Sequence, residues 1–248
     1  MNQQIEFNHT DNQLLNDSID RIVVELHNYK KRMGDKTILM SGCGTQSGTT
    51  TISIQLAIAL SLSGWKTLLV DCDLRKGTIE QNFDKIDSGL SDYLSQKVEK
   101  ESIIYETNYE LLNYIPRGNQ VSSPVQLFCS SNMEQFVNVM RRKYDYIIFD
   151  FPSVNIVSDA NILFPYVDGI VLVVALEKAT KRQLQEARRK VQQYKDKYYG
   201  IIVNQVDLPQ YKTYRKDYDY FKQNNISKGW KKLWKKFSRK KKGAIHEK

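Results

Sequence analysis

Short apolar runs recur along the chain, at Thr37–Met40, Thr67–Val70, Leu111–Ile115, Tyr146–Phe149, Gly169–Val174 and Gly200–Val203. Each has strand length, and several are apolar at successive rather than alternate positions. Strands buried on both faces read this way, as in a parallel sheet covered by helices. Between the runs the period lengthens. In "KRQLQEARRKVQQY", Leu184, Ala187, Val191 and Tyr194 line one side of an amphipathic helix. Strand-length and helical segments in alternation predict an α/β fold, a doubly wound and mostly parallel sheet with helices on both faces. The pattern holds from Asp17 to Asp207, with no internal repeat. Residues 1–16 are polar and are expected to be disordered. Residues 208–225 form a tyrosine-rich linker, and 226–248 a basic tail.

Charge changes the picture only at that tail. The chain carries 37 Lys and Arg against 28 Asp and Glu, a net charge of +9. Nine basic residues and no acid fall between Lys228 and Lys242, so the rest of the protein is neutral. An anionic partner is therefore expected of the tail and not of the body. At about 100° per residue, Trp230, Leu233, Trp234 and Phe237 share one side of a helix and Lys231, Lys232, Lys235 and Lys236 the other. An aromatic face opposite a lysine face suits an anionic membrane interface, at about 1 kcal/mol per basic residue near the surface. Nucleic acid is the rival, and the confinement of the apolar residues to one face disfavours it. The N-terminus has neither a cationic start nor an apolar core, and no run is long enough to span a bilayer. The expected location is cytoplasmic, peripheral to the inner face of the cell membrane. Cys43, Cys72 and Cys129 have no metal or disulfide spacing and are expected to be reduced thiols.

The chemistry is expected where the runs end, since ligands of such sheets bind at the carboxyl ends of the strands. After the first run comes "GCGTQSGTTT", Gly42 to Thr51, followed by an apolar helical run. A phosphate-cradling loop reads G-x-x-x-x-G-K-[ST]. With Gly48 as its last glycine, Cys43 stands at the first glycine, Thr49 at the lysine and Thr50 at the Mg²⁺ hydroxyl. Gly44, Ser47, Gly48, Thr49, Thr50 and Thr51 are the candidate phosphate contacts, through backbone amides at a helix N-terminus. The cation that bridges the terminal phosphates is missing. "LLVDCDLRKG" ends the second run with Asp71, Asp73 and Arg75. Two carboxylates two positions apart share a face of an extended segment and can hold Mg²⁺ or accept a proton. "YDYIIFDFPS" ends another run at Asp150, a single carboxylate at a strand tip, as in a Walker B segment.

With these segments the chain resembles the cytoplasmic tyrosine kinases of bacterial capsule and exopolysaccharide synthesis, which belong to the deviant-Walker P-loop ATPases. "GWKTLLVDCDLRKG" matches that family's second Walker motif and "YDYIIFDFPS" its Walker B. "GLSDYL" and "SDANILFPYVDGIVLVV" also match. "SSPVQLF" is similar to its Asn-Pro-x-Glu-Leu-Leu stretch with Ser123 and Gln126 substituted, and "GIIVNQVD" to the segment whose asparagine, here Asn204, lies near adenine. The resemblance implies the P-loop NTPase fold, ATP and Mg²⁺ as cofactors, and γ-phosphoryl transfer to tyrosine. It gives Asp71, Asp73 and Asp150 the catalytic positions and Thr50, Asp73 and Asp150 the metal. Arg75 and Asn204 join the loop in holding the nucleotide. Tyr211, Tyr214, Tyr218 and Tyr220 correspond to the family's tail of phosphorylated tyrosines. A membrane adaptor protein of polysaccharide synthesis is the implied partner.

Two departures set limits. Thr49 replaces the loop lysine, so impaired catalysis is expected. The family's ring-assembly helix carries an acid and two arginines, where "DSIDRIVVEL" has Asp17, Asp20 and Val23. A homo-oligomer stays open, but this helix does not support the family's ring. Two other readings remain, a non-catalytic binding module of the polysaccharide machinery and a partition or division-site type ATPase.

Overall fold

The computed structural model describes residues 4–75, 86–157 and 160–207. The tail tyrosines and the aromatic positions of the basic tail lie outside the described residues. The chain divides after Asn204, and the first unit is Met1–Asn204.

The first unit is built on a seven-stranded sheet: β1 (Thr37–Gly42), β2 (Thr67–Asp71), β3 (Tyr105–Glu106), β4 (Leu112–Ile115), β5 (Tyr146–Phe151), β6 (Gly169–Ala175) and β7 (Tyr198–Asn204). The order across the sheet is β3-β4-β2-β5-β1-β6-β7, and all pairings are parallel except β3 with β4. All six runs read from the sequence are strands. The two-residue β3 is too short to leave a periodic signal, and the sequence reading misses it. β1, β2, β5 and β6 are buried at every position. That explains their unbroken apolar character, because helices cover both faces.

Among the described residues seven α-helices accompany the strands: α1 (Gln13–Met33), α2 (Thr49–Leu62), α3 (Leu90–Leu94), α4 (Pro124–Phe128), α5 (Ser131–Lys143), α6 (Ala160–Leu163) and α7 (Lys181–Gln192). One face of the sheet, including Leu39, Ile147, Phe149, Ile170 and Leu172, packs with Phe136 and Met140 of α5 and Ala187 and Val191 of α7. α2 packs against β1, β2 and β5 and is itself covered by α1. Enclosure on both sides accounts for an α2 that is apolar nearly all round. α1 is amphipathic and buries Ile19, Val23 and Leu26. The Asn12 side chain caps its start by accepting from Leu14 N and Leu15 N, and Gly34 ends it in the left-handed region at φ 79°. Val23, the position read against the ring-assembly arginine, is buried and faces the interior. Among the described residues no helix is long and apolar enough to cross a membrane.

The expectation of a disordered 1–16 is corrected for its described part. Ile5 donates its N–H to Glu106 O at 2.8 Å and accepts from Asn108 N at 3.1 Å. Phe7 N donates to Asn108 Oδ1, and Asn108 Nδ2 returns a bond to Phe7 O, at 2.8 and 2.9 Å. Gln55 of α2 grips the next turn, accepting from Thr10 N and donating to Asn8 O. Ile5 and Phe7 are buried, and the Phe7 ring meets Tyr114 edge-on at 5.3 Å. Two apolar residues among polar ones cannot announce this strap. Its partners lie about a hundred residues away.

Candidate functional site

β1 carries the chain into the glycine loop at the carboxyl edge of the sheet. Cys43 N still bonds Val173 O of β6 at 2.9 Å, so the strand pairing runs to the loop's first residue. The loop then closes on itself: Ser47 Oγ donates to Gly44 O at 2.7 Å and accepts from Gly44 N at 3.3 Å. A Cβ at Gly42 would meet Ser47 Oγ at 2.9 Å, Gly44 O at 3.0 Å and Thr49 Oγ1 at 3.1 Å. The curl therefore needs glycine at 42. Gly48 precedes α2 at φ 78°, the left-handed conformation glycine adopts without strain. Gly48 has no side chain with which to cap α2, and among the described residues the amides of its first turn have no side-chain acceptor. Two asparagines brace the loop from outside. Asn155 Nδ2 donates to Cys43 O and to Gln183 O of α7, both at 2.7 Å, and Asn204 Nδ2 donates to Ser47 O at 2.9 Å. Asn204, read as an adenine neighbour, thus ends β7 against the loop.

The acids stand beside the loop. Asp71 and Asp150 end neighbouring parallel strands and are register partners. Both are buried. Asp150 Oδ1 accepts from Ser53 Oγ of α2 at 3.0 Å. Burial and then the neighbouring Asp71 push the Asp150 carboxyl up to about 7, against the pull of the Thr50 and Ser53 hydroxyls. Burial also raises Asp71, with the Arg117 charge and the Asp73 amide working against it. β2 ends at Asp71, so Asp71 and Asp73 are not alternate residues of one strand. The Asp73 backbone N donates to Asp71 Oδ1 at 3.0 Å. Arg75 follows, exposed, and its carbonyl accepts from Gln120 Nε2. A cavity of about 290 Å³ is lined by Thr50, Thr51, Asp71, Asp150 and Tyr114, with the strap residues Glu6, Phe7 and Asn8 as one wall.

Sequence reasoning misses the strongest contact at the site. Arg117, just past β4, places both Nε and Nη2 on Asp71 Oδ2, at 2.8 and 2.7 Å. The signal was available: a single cation one proline past a strand, followed by glycine. Nothing local tied it to an acid 46 residues earlier. Ser53 and Asn155 were missed for the same reason.

A nucleotide and Mg²⁺ fit this set of donors. The uncapped α2 N-terminus and the glycine curl offer amides to phosphate. Asp150, Asp73 and the Thr50 hydroxyl are hard oxygen donors of the kind Mg²⁺ takes. The half-buried Thr49 brings no charge to the loop.

The comparisons with known proteins agree with this geometry. The family profile described as AAA domain matches residues 35–204. The chain is 32% identical over 176 residues to the tyrosine-protein kinase CpsD of Streptococcus pneumoniae serotype 4, covering 70% of this chain and 77% of that one. It is 31% identical over 180 residues to the putative tyrosine-protein kinase CapB of Staphylococcus aureus, covering 72% and 79%. The solved kinase domain of the Escherichia coli tyrosine kinase ETK superposes with a TM-score of 0.71 at 26% identity, over 76% of this chain and 74% of that one. The chain belongs to the AAA-domain P-loop proteins and, among them, to the bacterial tyrosine-protein kinases of the CpsD and CapB type.

Proposed function

We propose that the protein is a nucleotide-binding member of the capsular and exopolysaccharide tyrosine kinases whose phosphoryl transfer is impaired. The observation that carries this reading is the registered pair Asp71 and Asp150 beside a helix N-terminus that no side chain caps. The first-turn amides of α2 would hold the phosphates of ATP, and Thr50, Asp73 and Asp150 would hold Mg²⁺, which when bound neutralises charge on the transferring group. Asp71 has the position of a base toward a tyrosine hydroxyl. Its carboxylate is occupied, however, by Arg117 on one oxygen and the Asp73 amide on the other. With Thr49 in place of a lysine, charge developing on the phosphoryl group lacks a loop cation, and losing one such contact costs on the order of a hundredfold to a thousandfold in rate.

The tail tyrosines Tyr211, Tyr214, Tyr218 and Tyr220 are the proposed acceptors, from this chain or another kinase. The tail positions Trp230, Leu233, Trp234 and Phe237 are the proposed contacts with an anionic membrane. A membrane adaptor of polysaccharide synthesis is the proposed partner. Thr49 and the occupied Asp71 favour one second reading, a regulator that binds MgATP and transfers nothing. Titration of the purified protein with MgATP, alongside assay of phosphotyrosine, tests both. Binding with weak transfer is expected, and no binding with Mg²⁺ present would end the nucleotide reading.

A further inference from the structure

Arg117 is 5% exposed, and among the described residues two of its three guanidinium nitrogens are bonded. Nε and Nη2 converge on Asp71 Oδ2, while Nη1 is buried with no hydrogen-bond partner among the described residues. An unpaired buried donor on a charged group is expensive, and a native structure that keeps one calls for an explanation such as a bound ligand, ion or water. The residue is also held firmly. Leu90 N donates to Pro116 O and Ser91 N to Arg117 O, at 2.8 and 2.9 Å. Ser91 Oγ donates to Asn119 O, and Asp92 accepts from Asn119 N and Nδ2. Gly118 turns there at φ 83°, and a Cβ on it would lie 2.5 Å from Ser91 Oγ and from Asp92 Oδ2. The "GLSDYL" segment, which the proposed chemistry leaves without a task, thus clamps the loop that presents Arg117 to Asp71.

We propose that Arg117 supplies the binding cation that the glycine loop lacks, with its free Nη1 donating to a terminal phosphate oxygen of the bound nucleotide. This rests on the nucleotide reading above. β4 neighbours β2, so the guanidinium reaches the strand tip at which Asp71 and Asp150 meet. A nucleoside triphosphate seated on α2 extends its last phosphate toward those acids, and the added anion there needs a compensating charge. Arg117 gives it from the side opposite the loop. Because the same guanidinium occupies Asp71, it serves binding and not transfer.

Calorimetry with MgATP and MgADP on the full chain tests this, using wild type, Arg117→Gln, Arg117→Lys, and Arg117→Gln combined with Thr49→Lys. The expected result is that Arg117→Gln weakens MgATP by about tenfold or more, the usual weight of one charge-assisted bond, and MgADP by far less. Thr49→Lys is expected to restore MgATP binding in the Arg117→Gln background, which a merely structural role for Arg117 would not produce. An unchanged preference for MgATP over MgADP in a folded Arg117→Gln protein would overturn the proposal and leave water as the partner of Nη1. If Arg117→Gln does not fold, Arg117→Lys decides, since one ammonium cannot hold Asp71 and reach a phosphate together. Loss of the triphosphate preference supports the proposal, and its retention overturns it. A wild type that binds neither nucleotide overturns the nucleotide reading and this inference with it, whereas a binding wild type with an indifferent Arg117 overturns the inference alone.

Discussion

The Ser53 hydroxyl donates to Asp150 Oδ1 at 3.0 Å, so the second turn of α2 is tied to the carboxyl end of β5 inside the core. The bond joins the helix whose first turn would meet phosphate to the acid that would serve the metal, and that acid lies buried beside a second one. Such an arrangement costs stability. Asp150→Asn is expected to stabilise the metal-free protein at neutral pH by about 1–2 kcal/mol, by removing a buried charge next to Asp71. The same change should abolish the Mg²⁺ dependence of nucleotide binding. Thermal unfolding in chelator and titration with and without Mg²⁺ check the two halves. A destabilised variant that keeps Mg²⁺-dependent binding would contradict both.

A second acid behaves in the opposite way. Asp168 accepts from Lys36 N, Thr37 N, Thr37 Oγ1 and Arg141 Nη1 at 2.7–2.9 Å. Burial pushes its carboxyl up, but these bonds outweigh burial and hold it below the usual carboxylate range. Because the folded value lies below the unfolded one, its contribution is present above about pH 4 and is lost as pH falls through the folded value. Asp168→Asn should cost about 2–3 kcal/mol at pH 7 and progressively less as pH drops below 4. Denaturant unfolding at several pH values measures this. A pH-independent cost would contradict it.

The N-terminal strap gives a stability test. Phe7 is buried against Tyr114, and its backbone is fixed by Asn108. Phe7→Ala should destabilise the domain by about 3–5 kcal/mol if it behaves as a core phenylalanine, and by less where the strap can lift away. Asn108→Ala, which removes the two side-chain bonds to Phe7 without touching the ring, should cost about 1–2 kcal/mol. No change in either variant would return the strap to the disorder that its polar sequence suggests.

Much of the fold was legible because the parallel core writes itself as uninterrupted apolar runs. "TILM", "YIIF" and "GIVLVV" declare strands buried on both faces, and the residues after the first two open the candidate site. What was not legible depends on distant pairing. The Asp71–Arg117 contact, the Ser53–Asp150 bond and the grip of Asn108 on Phe7 each join residues far apart in sequence. A two-residue edge strand such as β3 has no period to read. Thr49 is the instructive case: the substitution is visible in the sequence, but the cation proposed to replace it becomes visible only when β4 is set beside β2.

The basic tail makes a separate prediction. Replacing Trp230 and Trp234 with Ala should weaken binding to vesicles of anionic lipid while leaving the thermal transition of the first unit unchanged. Vesicle co-sedimentation checks it. Equal binding by the full chain and by a chain ending near Asn225 would contradict it, and salt-sensitive DNA binding without vesicle binding would favour nucleic acid.

The most direct test of the central claim is phosphotyrosine formation from labelled MgATP by the wild type and by Thr49→Lys, measured side by side on protein shown to bind MgATP. A loop that keeps its cradle and lacks its cation predicts transfer near background in the wild type and at least about a tenfold rise when the lysine is restored. Robust transfer by the wild type, or a Thr49→Lys protein that binds MgATP and transfers no better, would contradict it.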